Sequence, residues 1–479
     1  MRDSRPQFAL HIGESDANTK RVSSPAPNVP YPSRRTFEIG VALLVCLYAG
    51  LHPARGDSSR WGGNGVARLP SSNSLSRDDQ PPRVRVGIDV LKNRRFEPLK
   101  GRRIGLITNH TGIDHNRCST IDALAKAPGL KLVALFSPEH GIRGTEDDIV
   151  QSGTDQRTGL PIHSLYGKSR RPTDRMLQGI DAFVFDIQDI GTRFYTYIST
   201  MGYCMEAAAR HRIPFYVLDR PNPIGGIRVE GPVMDQNMIS FTGYHTMPNR
   251  HGMTVGELAM MFNAEKKFGC SLYVVAMSGW TRNLRWEETG CPWINTSPNM
   301  RSPDEAVLYP GIGALECTNL SVGRGTDRPF EIVGAPWIKG RRLADWLQSR
   351  QLPGVRFRAH VFTPDSSVYK GKRCEGVFIE VMDRRQVNSV RCGLELAHAL
   401  CRLHPRHFEV KSYASMIGQG WVVDRLRSGV DPEEIETEWE PSRREFLRRR
   451  ARFLIYPDPS QTDGDPAPSR RLGGWRVPR

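Results

Sequence analysis

Four short, nearly continuous apolar segments lie in the first half of the 479-residue sequence, at 103–109, 130–136, 181–186 and 214–219. Runs of this length, rich in Ile, Leu, Val and Phe, are typical of strands that are buried on both faces. Segments with helical spacing separate them, so strands and helices alternate along the chain. This alternation predicts an α/β fold with a parallel, doubly wound sheet.

The helical segments between these strands are expected at 119–127, 173–178 and 197–211. The first follows a Ser/Thr cap, and the last has apolar residues at helical spacing and ends before a proline. A further helix at 254–268 leads into a fifth strand at 271–277. The pattern therefore extends the sheet beyond the first four strands.

The sequence after residue 310 has a different character and predicts a second, smaller α+β domain. Strand-like segments at 357–362 and 376–382 are followed by helical segments at 390–403 and 432–455. Polar segments rich in Pro, Ser, Gly and Arg flank the two domains and are expected to lack regular structure. The predicted boundaries are 1–83 for the N-terminal extension, 84–310 and 311–456 for the two domains, and 457–479 for the tail.

The N-terminal extension carries a candidate export signal. Paired arginines within 33–37 precede an apolar run at 40–51, which is too short to span a bilayer and has the length of a signal-peptide core. The arginine pair resembles a twin-arginine signal. We therefore expect an exported protein, periplasmic or extracellular, with an uncleaved membrane anchor as the alternative.

The chain is basic, with 67 Lys and Arg against 51 Asp and Glu and a net charge of +16. Such a balance favours anionic partners in general. The basic residues are spread along the chain, however, and no basic stripe interleaved with aromatic residues is present, so a nucleic-acid partner is not expected. An Arg-rich, solvated surface is the interpretation that the sequence favours.

The cysteine and glycine patterns argue against a cofactor. None of the nine cysteines forms a CxxC pair, so buried free thiols are favoured over a zinc site, and one or two disulfides remain an alternative for an exported chain. No GxGxxG follows the first strand and no GxxxxGK[ST] occurs, so no nucleotide cofactor is expected. A metal site built from Asp186, Asp189, Asp219 and His140 is a less favoured alternative, because no HExxH or DxDxDG pattern accompanies it.

A polar cluster follows each of the four strands, at 108–112, 137–141, 186–193 and 219–223. Ligands of open parallel sheets bind at the carboxyl ends of the strands. Any one cluster could be a turn. Four clusters at one edge of a sheet predict a ligand site.

Glu139 is the leading candidate for acid–base chemistry within these clusters. It lies where a buried strand emerges, and a half-buried carboxyl group has its charged form disfavoured, which suits a proton donor. His140 is a candidate proton shuttle or substrate hydrogen-bond donor. The sequence therefore predicts a catalytic pair at 139–140.

The remaining polar residues suit a sugar ligand. Amide and carboxylate groups accept and donate hydrogen bonds to hydroxyls. Arginines could clamp an anion through two parallel hydrogen bonds, and aromatic residues at 194–197 could stack on a sugar or simply pack in the core. The predicted substrate-binding residues are Asn109, Asp186, Gln188, Asp189, Arg193, Tyr195, Asp219, Arg220, Asn222 and Arg324, with Arg328 as a further candidate clamp.

Longer motifs carry a resemblance to a known family. They cover roughly residues 84–456 and are specific by their length. The chain resembles the NamZ family, formerly called DUF1343, through Ser-Pro-Glu-His-Gly at 137–141, Asp-Ile-Gln-Asp-Ile-Gly-Thr-Arg-Phe-Tyr-Thr-Tyr at 186–197, Leu-Asp-Arg-Pro-Asn-Pro at 218–223, Glu-Gly-Pro at 230–232, Thr-Asn-Leu-Ser at 318–321, Gly-Arg-Gly-Thr at 323–326 and Gly-Ala-Pro-Trp at 334–337.

The resemblance implies a Rossmann-like N-terminal domain, a smaller C-terminal domain and an active site in the cleft between them. It implies an exo-β-N-acetylmuramidase, which releases N-acetylmuramic acid from the non-reducing end of peptidoglycan fragments. The family's favoured catalytic carboxylate corresponds to Glu139. At Val322 this sequence departs from a Glu in the similar stretch of relatives, which would matter if that Glu contacts substrate and not if it only packs.

The substrate would explain an arginine in the site, because N-acetylmuramic acid carries a lactyl carboxylate. Arg193, Arg220, Arg324 and Arg328 all remain candidates for binding it, and retention and inversion both remain open. Two rival functions are a non-catalytic muropeptide-binding protein in the same cleft and a metal-dependent hydrolase of another bond.

Overall fold

The computed structural model describes residues 84–143, 151–167 and 169–459. The predicted extension and export signal at 1–83 and most of the predicted tail lie outside these residues. Seven strands form the larger sheet: β1 (Arg103–Thr108), β2 (Lys131–Ser137), β3 (Gly153–Thr154), β4 (Pro161–Ser164), β5 (Ala182–Asp186), β6 (Phe215–Leu218) and β7 (Leu272–Val275).

The strand order of this sheet is β3-β4-β2-β1-β5-β6-β7. All neighbours pair in parallel except β3, which is antiparallel to β4. Numbered among themselves, the six parallel strands have the order 3-2-1-4-5-6, which is the Rossmann order. The prediction of a Rossmann-like parallel sheet is therefore confirmed, and the order reverses between β1 and β5.

The five predicted strands are all present, and their side chains are almost entirely buried, as expected for strands covered on both faces. Two short strands, β3 and β4, were not predicted, because neither contains an apolar run. The predicted helix at 173–178 is a 3-10 turn at Asp174–Leu177. Four residues are too few for an α-helix with its own hydrogen-bond ladder.

The helices begin at residues that favour their N-termini. Ser119, Thr254, Ser302, Asn388 and Asp431 each accept a hydrogen bond from a backbone N–H of the first turn. The helices of the described residues are α1 (Gly87–Asn93), α2 (Thr120–Ala125), α3 (Tyr197–Arg210), α4 (Val255–Glu265), α5 (Pro303–Ile312), α6 (Gly340–Ser349), α7 (Ser389–Leu403), α8 (Tyr413–Ile417), α9 (Gly420–Ser428) and α10 (Pro432–Ala451).

A second, smaller sheet lies in the C-terminal part of the chain. It contains β8 (Ile332–Ala335), β9 (Val355–Phe362) and β10 (Cys374–Val381), which are antiparallel in the order β8-β10-β9. Helix α6 packs on β9 and β10, and α7 packs on α6. The predicted smaller α+β part is confirmed.

The two parts share one hydrophobic core and belong to one compact unit. A buried carboxylate joins them: Glu230 accepts hydrogen bonds from the Ser389 N–H at 2.9 Å and from Arg250 at 2.6 Å. Helix α5 runs across the boundary predicted at residue 310. The described part of the chain therefore holds its two sheets in a fixed relation.

Two further predictions concern chain properties. The eight cysteines among the described residues are free thiols, several of them buried. No described helix has both the length and the apolar content that crossing a bilayer requires.

Candidate active site

A large cleft opens between the Rossmann-like part and the C-terminal part, with a volume of about 980 Å³. That size suits a ligand of one or two sugar rings. One side is formed by the turn after β2 and the start of α3, and the other by loops that precede α5 and surround β8. The lining residues include Glu139, His140, residues 194–197, residues 297–301, Tyr309, Glu316, residues 324–327, Phe330 and residues 365–367.

Glu139 reaches this cleft from a tight turn after β2. Gly141 donates its N–H to the Pro138 carbonyl at 3.2 Å, and His140 adopts a positive φ of 67°. Such a φ is uncommon for a residue other than glycine and makes the chain reverse sharply. The turn leaves the Glu139 side chain half-buried at the cleft wall, next to His140.

Thr196 holds the Glu139 carboxylate. Its hydroxyl donates a hydrogen bond to Glu139 Oε2. Thr196 is the residue at the N-terminal end of α3, yet its side chain does not cap the helix. The hydroxyl is instead committed to the carboxylate and fixes one of its two oxygens.

Aromatic rings form the wall beside Glu139. The Tyr195 ring meets Tyr197 and Tyr309 edge to face, with centroids 5.0 and 5.8 Å apart. The Tyr195 hydroxyl donates to Thr296 Oγ1 at 2.7 Å. Burial raises the pKa of Tyr195 above its usual range, so the phenol stays neutral. Because the rings pack against one another, the wall is rigid, and Tyr195 presents a limited surface to the cleft.

Two arginines line the opposite side of the cleft. Arg324 lies on a turn closed by Thr326, whose hydroxyl and N–H both donate to the Gly323 carbonyl at 2.7 and 3.1 Å. The Arg324 guanidinium contacts the Glu316 carboxylate, which also lines the cleft. Arg301 approaches from the loop before α5 and donates from Nη1 to the Thr326 carbonyl at 3.1 Å. This side of the cleft therefore combines positive and negative groups.

Other predicted binding residues form a buried polar group, here called the strand-end network: Asn109, Asp186, Gln188, Asp219, Arg220 and Asn222. They meet at one edge of the sheet, as the sequence predicted, but they bind one another and the backbone. A small cavity beside Gln188 and Arg220 has a volume of only about 20 Å³, room for roughly one water molecule. The structure places the strand-end network apart from the residues that line the cleft.

The centre of the strand-end network is a buried ion pair. Arg220 donates from Nε to Asp186 Oδ1 at 2.5 Å and from Nη2 to Asp186 Oδ2 at 2.9 Å. Its Nη2 also donates to the Ile113 carbonyl at 2.8 Å, and the Thr120 hydroxyl donates to Asp186. The positive charge of Arg220 and the negative charge of Asp186 therefore balance each other within the protein. Arg220 thus links the ends of β5 and β6, and its charge is matched by the buried Asp186 carboxylate.

The Asp219 carboxylate likewise accepts its hydrogen bonds from groups within the protein. It accepts hydrogen bonds from the Thr254 hydroxyl at 2.8 Å, the Gly256 N–H at 2.8 Å and the Tyr456 hydroxyl at 2.5 Å. Burial raises its pKa to about 6. Asp219 therefore anchors the N-terminus of α4 and the C-terminal segment that contains Tyr456.

The three amide side chains of the strand-end network shape loops. Asn109 Oδ1 accepts from the Thr111 hydroxyl at 2.6 Å, and Gln188 Nε2 donates to the carbonyls of Asp189 and Pro221, each at 2.8 Å. Asn222 Nδ2 donates to the Met253 carbonyl at 3.0 Å. Asn109 thus shapes the loop after β1, Gln188 joins the loop after β5 to that after β6, and Asn222 joins the latter to the segment before α4.

Asp189 and Arg193 are buried behind the cleft wall. Asp189 accepts from the Gly191 N–H at 2.7 Å, and burial raises its pKa to about 7. Arg193 donates to the Met416 carbonyl, and burial lowers its pKa to about 9. Arg328, the remaining candidate clamp, pairs with Glu331 at 3.1 Å and is not among the cleft-lining residues.

Of the predicted site residues, four therefore line the cleft: Glu139, His140, Tyr195 and Arg324. Thr196, Arg301, Tyr309 and Glu316 also line it and were not predicted. They lie far from the strand ends in sequence or look like ordinary helix and loop residues. Only Thr196, which falls inside the long motif at 186–197, carried a signal that could have found it.

Two alternatives from the sequence can be compared with the structure. Within residues 84–143, 151–167 and 169–459, no three His, Cys, Asp or Glu side chains come together as metal ligands. Val322 is 3% exposed, belongs to the shared hydrophobic core and does not line the cleft. The Val322 side chain therefore packs in the core and takes no part in the cleft surface of this chain.

The fold and the cleft together define a two-part α/β protein with a half-buried carboxylate at the wall of a large, mostly polar cleft. Family models described as the N-terminal and C-terminal parts of exo-β-N-acetylmuramidase NamZ match residues 104–304 and 307–456. The chain belongs to the NamZ family.

Individual relatives agree with this assignment. The chain is 44% identical over 396 residues to the peptidoglycan β-N-acetylmuramidase NamZ of Bacillus subtilis (strain 168), covering 82% of this chain and 96% of that one. Two crystal structures of DUF1343 family proteins from Bacteroides fragilis NCTC 9343 are similar. One has a TM-score of 0.74, 40% identity and coverage of 78% and 99%; the other has a TM-score of 0.65, 30% identity and coverage of 79% and 100%.

Proposed function

We propose that this protein is a glycoside hydrolase that releases terminal β-linked N-acetylmuramic acid from the non-reducing end of peptidoglycan fragments, in cell-wall turnover or recycling. The observation that carries the proposal is a single half-buried carboxylate, Glu139, held at the wall of a sugar-sized cleft. It occurs in a chain 44% identical to a peptidoglycan β-N-acetylmuramidase.

Glu139 is the proposed general acid. Thr196 donates to Oε2, so the proton to be transferred resides on Oε1 and can pass to the leaving glycosidic oxygen. The bond from the anomeric carbon to that oxygen breaks, and water finally supplies the hydroxyl of the released sugar. His140, adjacent in the turn, is placed to hydrogen-bond the sugar or the incoming water.

The hydrolysis also requires a group that assists the attack on the anomeric carbon. Three further carboxylates line the cleft: Glu316, Asp327 and Asp365. Glu316 forms an ion pair with Arg324. Asp327 and Asp365 are therefore the residues to replace by Asn in the search for the second catalytic group. Analysis of the anomer released first by the wild-type protein determines whether the reaction retains or inverts configuration.

The direct test uses a chromogenic β-linked N-acetylmuramide, with the matching β-linked N-acetylglucosaminide as the control substrate. The wild-type protein should release the chromophore from the muramide. Glu139→Gln should lower that rate by roughly 10²- to 10⁴-fold, the usual contribution of a general acid, while the melting temperature stays close to that of the wild type. Glu434→Gln, on the exposed side of α10, is the matched control and should retain full activity.

Other outcomes separate the rival functions. Binding of the muramide without turnover by the wild-type protein would favour a non-catalytic muropeptide-binding protein. Activity that a chelator abolishes would favour a metal-dependent hydrolase. Full activity of Glu139→Gln would remove Glu139 from the mechanism.

We also propose that the protein is exported through its twin-arginine-like segment at 33–37 and the apolar run at 40–51, both outside the described residues. The location of peptidoglycan outside the cytoplasmic membrane supports this. Replacing Arg34 and Arg35 together by Lys should retain the protein in the cytoplasm of a bacterium with a twin-arginine pathway. Arg55→Lys is the control and should be exported. A full-length protein in the membrane fraction would instead identify an uncleaved anchor.

A further inference from the structure

The two arginines of the cleft differ in what they bind. Arg324 contacts the Glu316 carboxylate through Nε and again from Nη2 to Oε2 at 3.3 Å, and its guanidinium lies 5.3 Å from the centre of the Phe330 ring. Its charge is thus already matched by a carboxylate within the protein. A substrate anion would have to compete with Glu316 for this guanidinium.

Arg301 is held differently. Its Nε donates to the Pro298 carbonyl at 2.9 Å and its Nη1 donates to the Thr326 carbonyl at 3.1 Å. In the part of the chain that the structure describes, no carboxylate lies within ion-pair distance of its guanidinium. Carbonyl oxygens orient a guanidinium without neutralising its charge. The Nη2 hydrogens and one Nη1 hydrogen therefore remain for a ligand.

The surroundings of Arg301 make its charge significant. Asp327 and Asp365 also line the cleft and repel an anionic ligand. A planar guanidinium that is oriented in advance can bind a carboxylate through two parallel hydrogen bonds, and it loses less rotamer freedom in doing so. A carboxylate that enters this cleft would find its best partner at Arg301.

We propose that Arg301 binds the lactyl carboxylate of N-acetylmuramic acid and is the residue by which the cleft distinguishes muramoyl from glucosaminyl ends. This inference rests on the proposed function. The two sugars share the same ring and acetamido group, and only N-acetylmuramic acid carries the lactyl ether and its charge. A cation with no carboxylate of the described residues at ion-pair distance from its guanidinium is the simplest group that separates them.

The test measures binding of the free sugars, so that it does not depend on turnover. Calorimetric titration should show that Arg301→Gln weakens the binding of N-acetylmuramic acid about tenfold or more, the usual effect of losing a charge-assisted hydrogen bond. Binding of N-acetylglucosamine should be unchanged, and Arg301→Lys should restore part of the lost affinity. Arg341→Gln, on the exposed face of α6, is the charge-matched control and should bind both sugars like the wild type.

Kinetics provides the second arm. On the chromogenic muramide, Arg301→Gln should raise KM about tenfold with a much smaller change in kcat, because the contact is remote from the bond that breaks. Unchanged affinity and KM in Arg301→Gln would overturn the inference, as would a larger selective loss in Arg324→Gln. If the wild type binds N-acetylmuramic acid through Arg301 but cleaves no muramide, the proposed hydrolysis fails and the assignment of Arg301 stands.

Discussion

The strand-end network and the cleft use the same kinds of side chain for opposite purposes. In the strand-end network, Asp186 and Arg220 are fully buried and bind each other through two hydrogen bonds. In the cleft, Glu139 is half-buried and Arg301 is exposed, and both line the open space. The polar residues after β1, β5 and β6 therefore build the support of the site, and the polar groups that line the cleft come from the turn after β2 and from more distant loops.

The largest contrast between the two regions should appear in stability. Arg220→Ala leaves the Asp186 carboxylate buried without its partner, which typically costs about 3–5 kcal/mol of unfolding free energy. Glu139→Gln keeps its hydrogen-bonding shape in a half-open site and should change that free energy by less than about 1 kcal/mol. Urea unfolding at neutral pH measures both. Equal losses in the two variants would contradict the distinction between supporting and ligand-facing residues.

The next effect concerns pH and the buried carboxyl group of Asp189. Its folded-state pKa of about 7 exceeds the unfolded value of 3.8, so the folded protein holds a proton there that the unfolded chain has released. This contribution to stability therefore declines as pH rises from about 4 to 7, by at most a few kcal/mol. Asp219, with a pKa raised to about 6, acts in the same direction over a narrower range.

Asp189→Asn should remove the contribution of this carboxyl group. The difference in unfolding free energy between Asp189→Asn and the wild type should shift in favour of the variant as pH rises from 4 to 7. Both proteins should be compared in a His251→Gln background, because His251 Nε2 lies 3.9 Å from Asp189 Oδ2 and its own contribution would not cancel. Burial lowers the pKa of His251 to about 3, so His251 destabilises the fold as pH falls below about 6.5, the opposite trend to that of Asp189. A difference that stays constant from pH 4 to 8 would show that Asp189 is ionised in the folded protein.

Most of the fold could be predicted from the sequence, because its buried strands leave patterns in short stretches of sequence. Buried parallel strands such as β1 and β5 require continuous apolar runs, and those runs are legible in a single sequence. The strands β3 and β4 are short and partly polar, and their pairing with β2 depends on contacts that no local pattern records. The helix predicted at 173–178 is a 3-10 turn at Asp174–Leu177, and its short length also depends on tertiary contacts that the local sequence pattern does not show.

The candidate site could be predicted only in part. Glu139 was found because it follows a strand within a distinctive motif. The Asp186–Arg220 pair follows strands too, and nothing in the sequence distinguishes a carboxylate that binds an internal arginine from one that faces a ligand. Arg301 and Glu316 enter the cleft through the packing of α5 and the turn at 323–326, which depends on the tertiary structure.

Within the cleft, Thr196 links the N-terminal end of α3 to the Glu139 carboxylate. Thr196→Val keeps the shape of the side chain and removes the hydroxyl that donates to Glu139. A hydrogen bond of this kind contributes roughly 1 kcal/mol, so kcat on the chromogenic muramide should fall about fivefold. Thr196→Ser retains the hydroxyl and should recover most of the rate. A decrease in both variants alike would point to packing of the methyl group as the cause.

The smallest predicted effect tests whether Glu316 is the reason that Arg324 is less available to a ligand than Arg301. If Glu316 is what withholds Arg324 from ligands, Glu316→Gln should free a second guanidinium and strengthen the binding of N-acetylmuramic acid a few-fold, since a partly exposed ion pair contributes at most about 1 kcal/mol. The gain should shrink as salt is raised from 50 to 500 mM, because the added attraction is between exposed charges. It should also persist in the Arg301→Gln background, since Arg324 acts independently of Arg301. Weaker binding in Glu316→Gln would instead show that Glu316 itself contacts the sugar, and the division of the cleft into a neutralised and an available arginine would have to be abandoned.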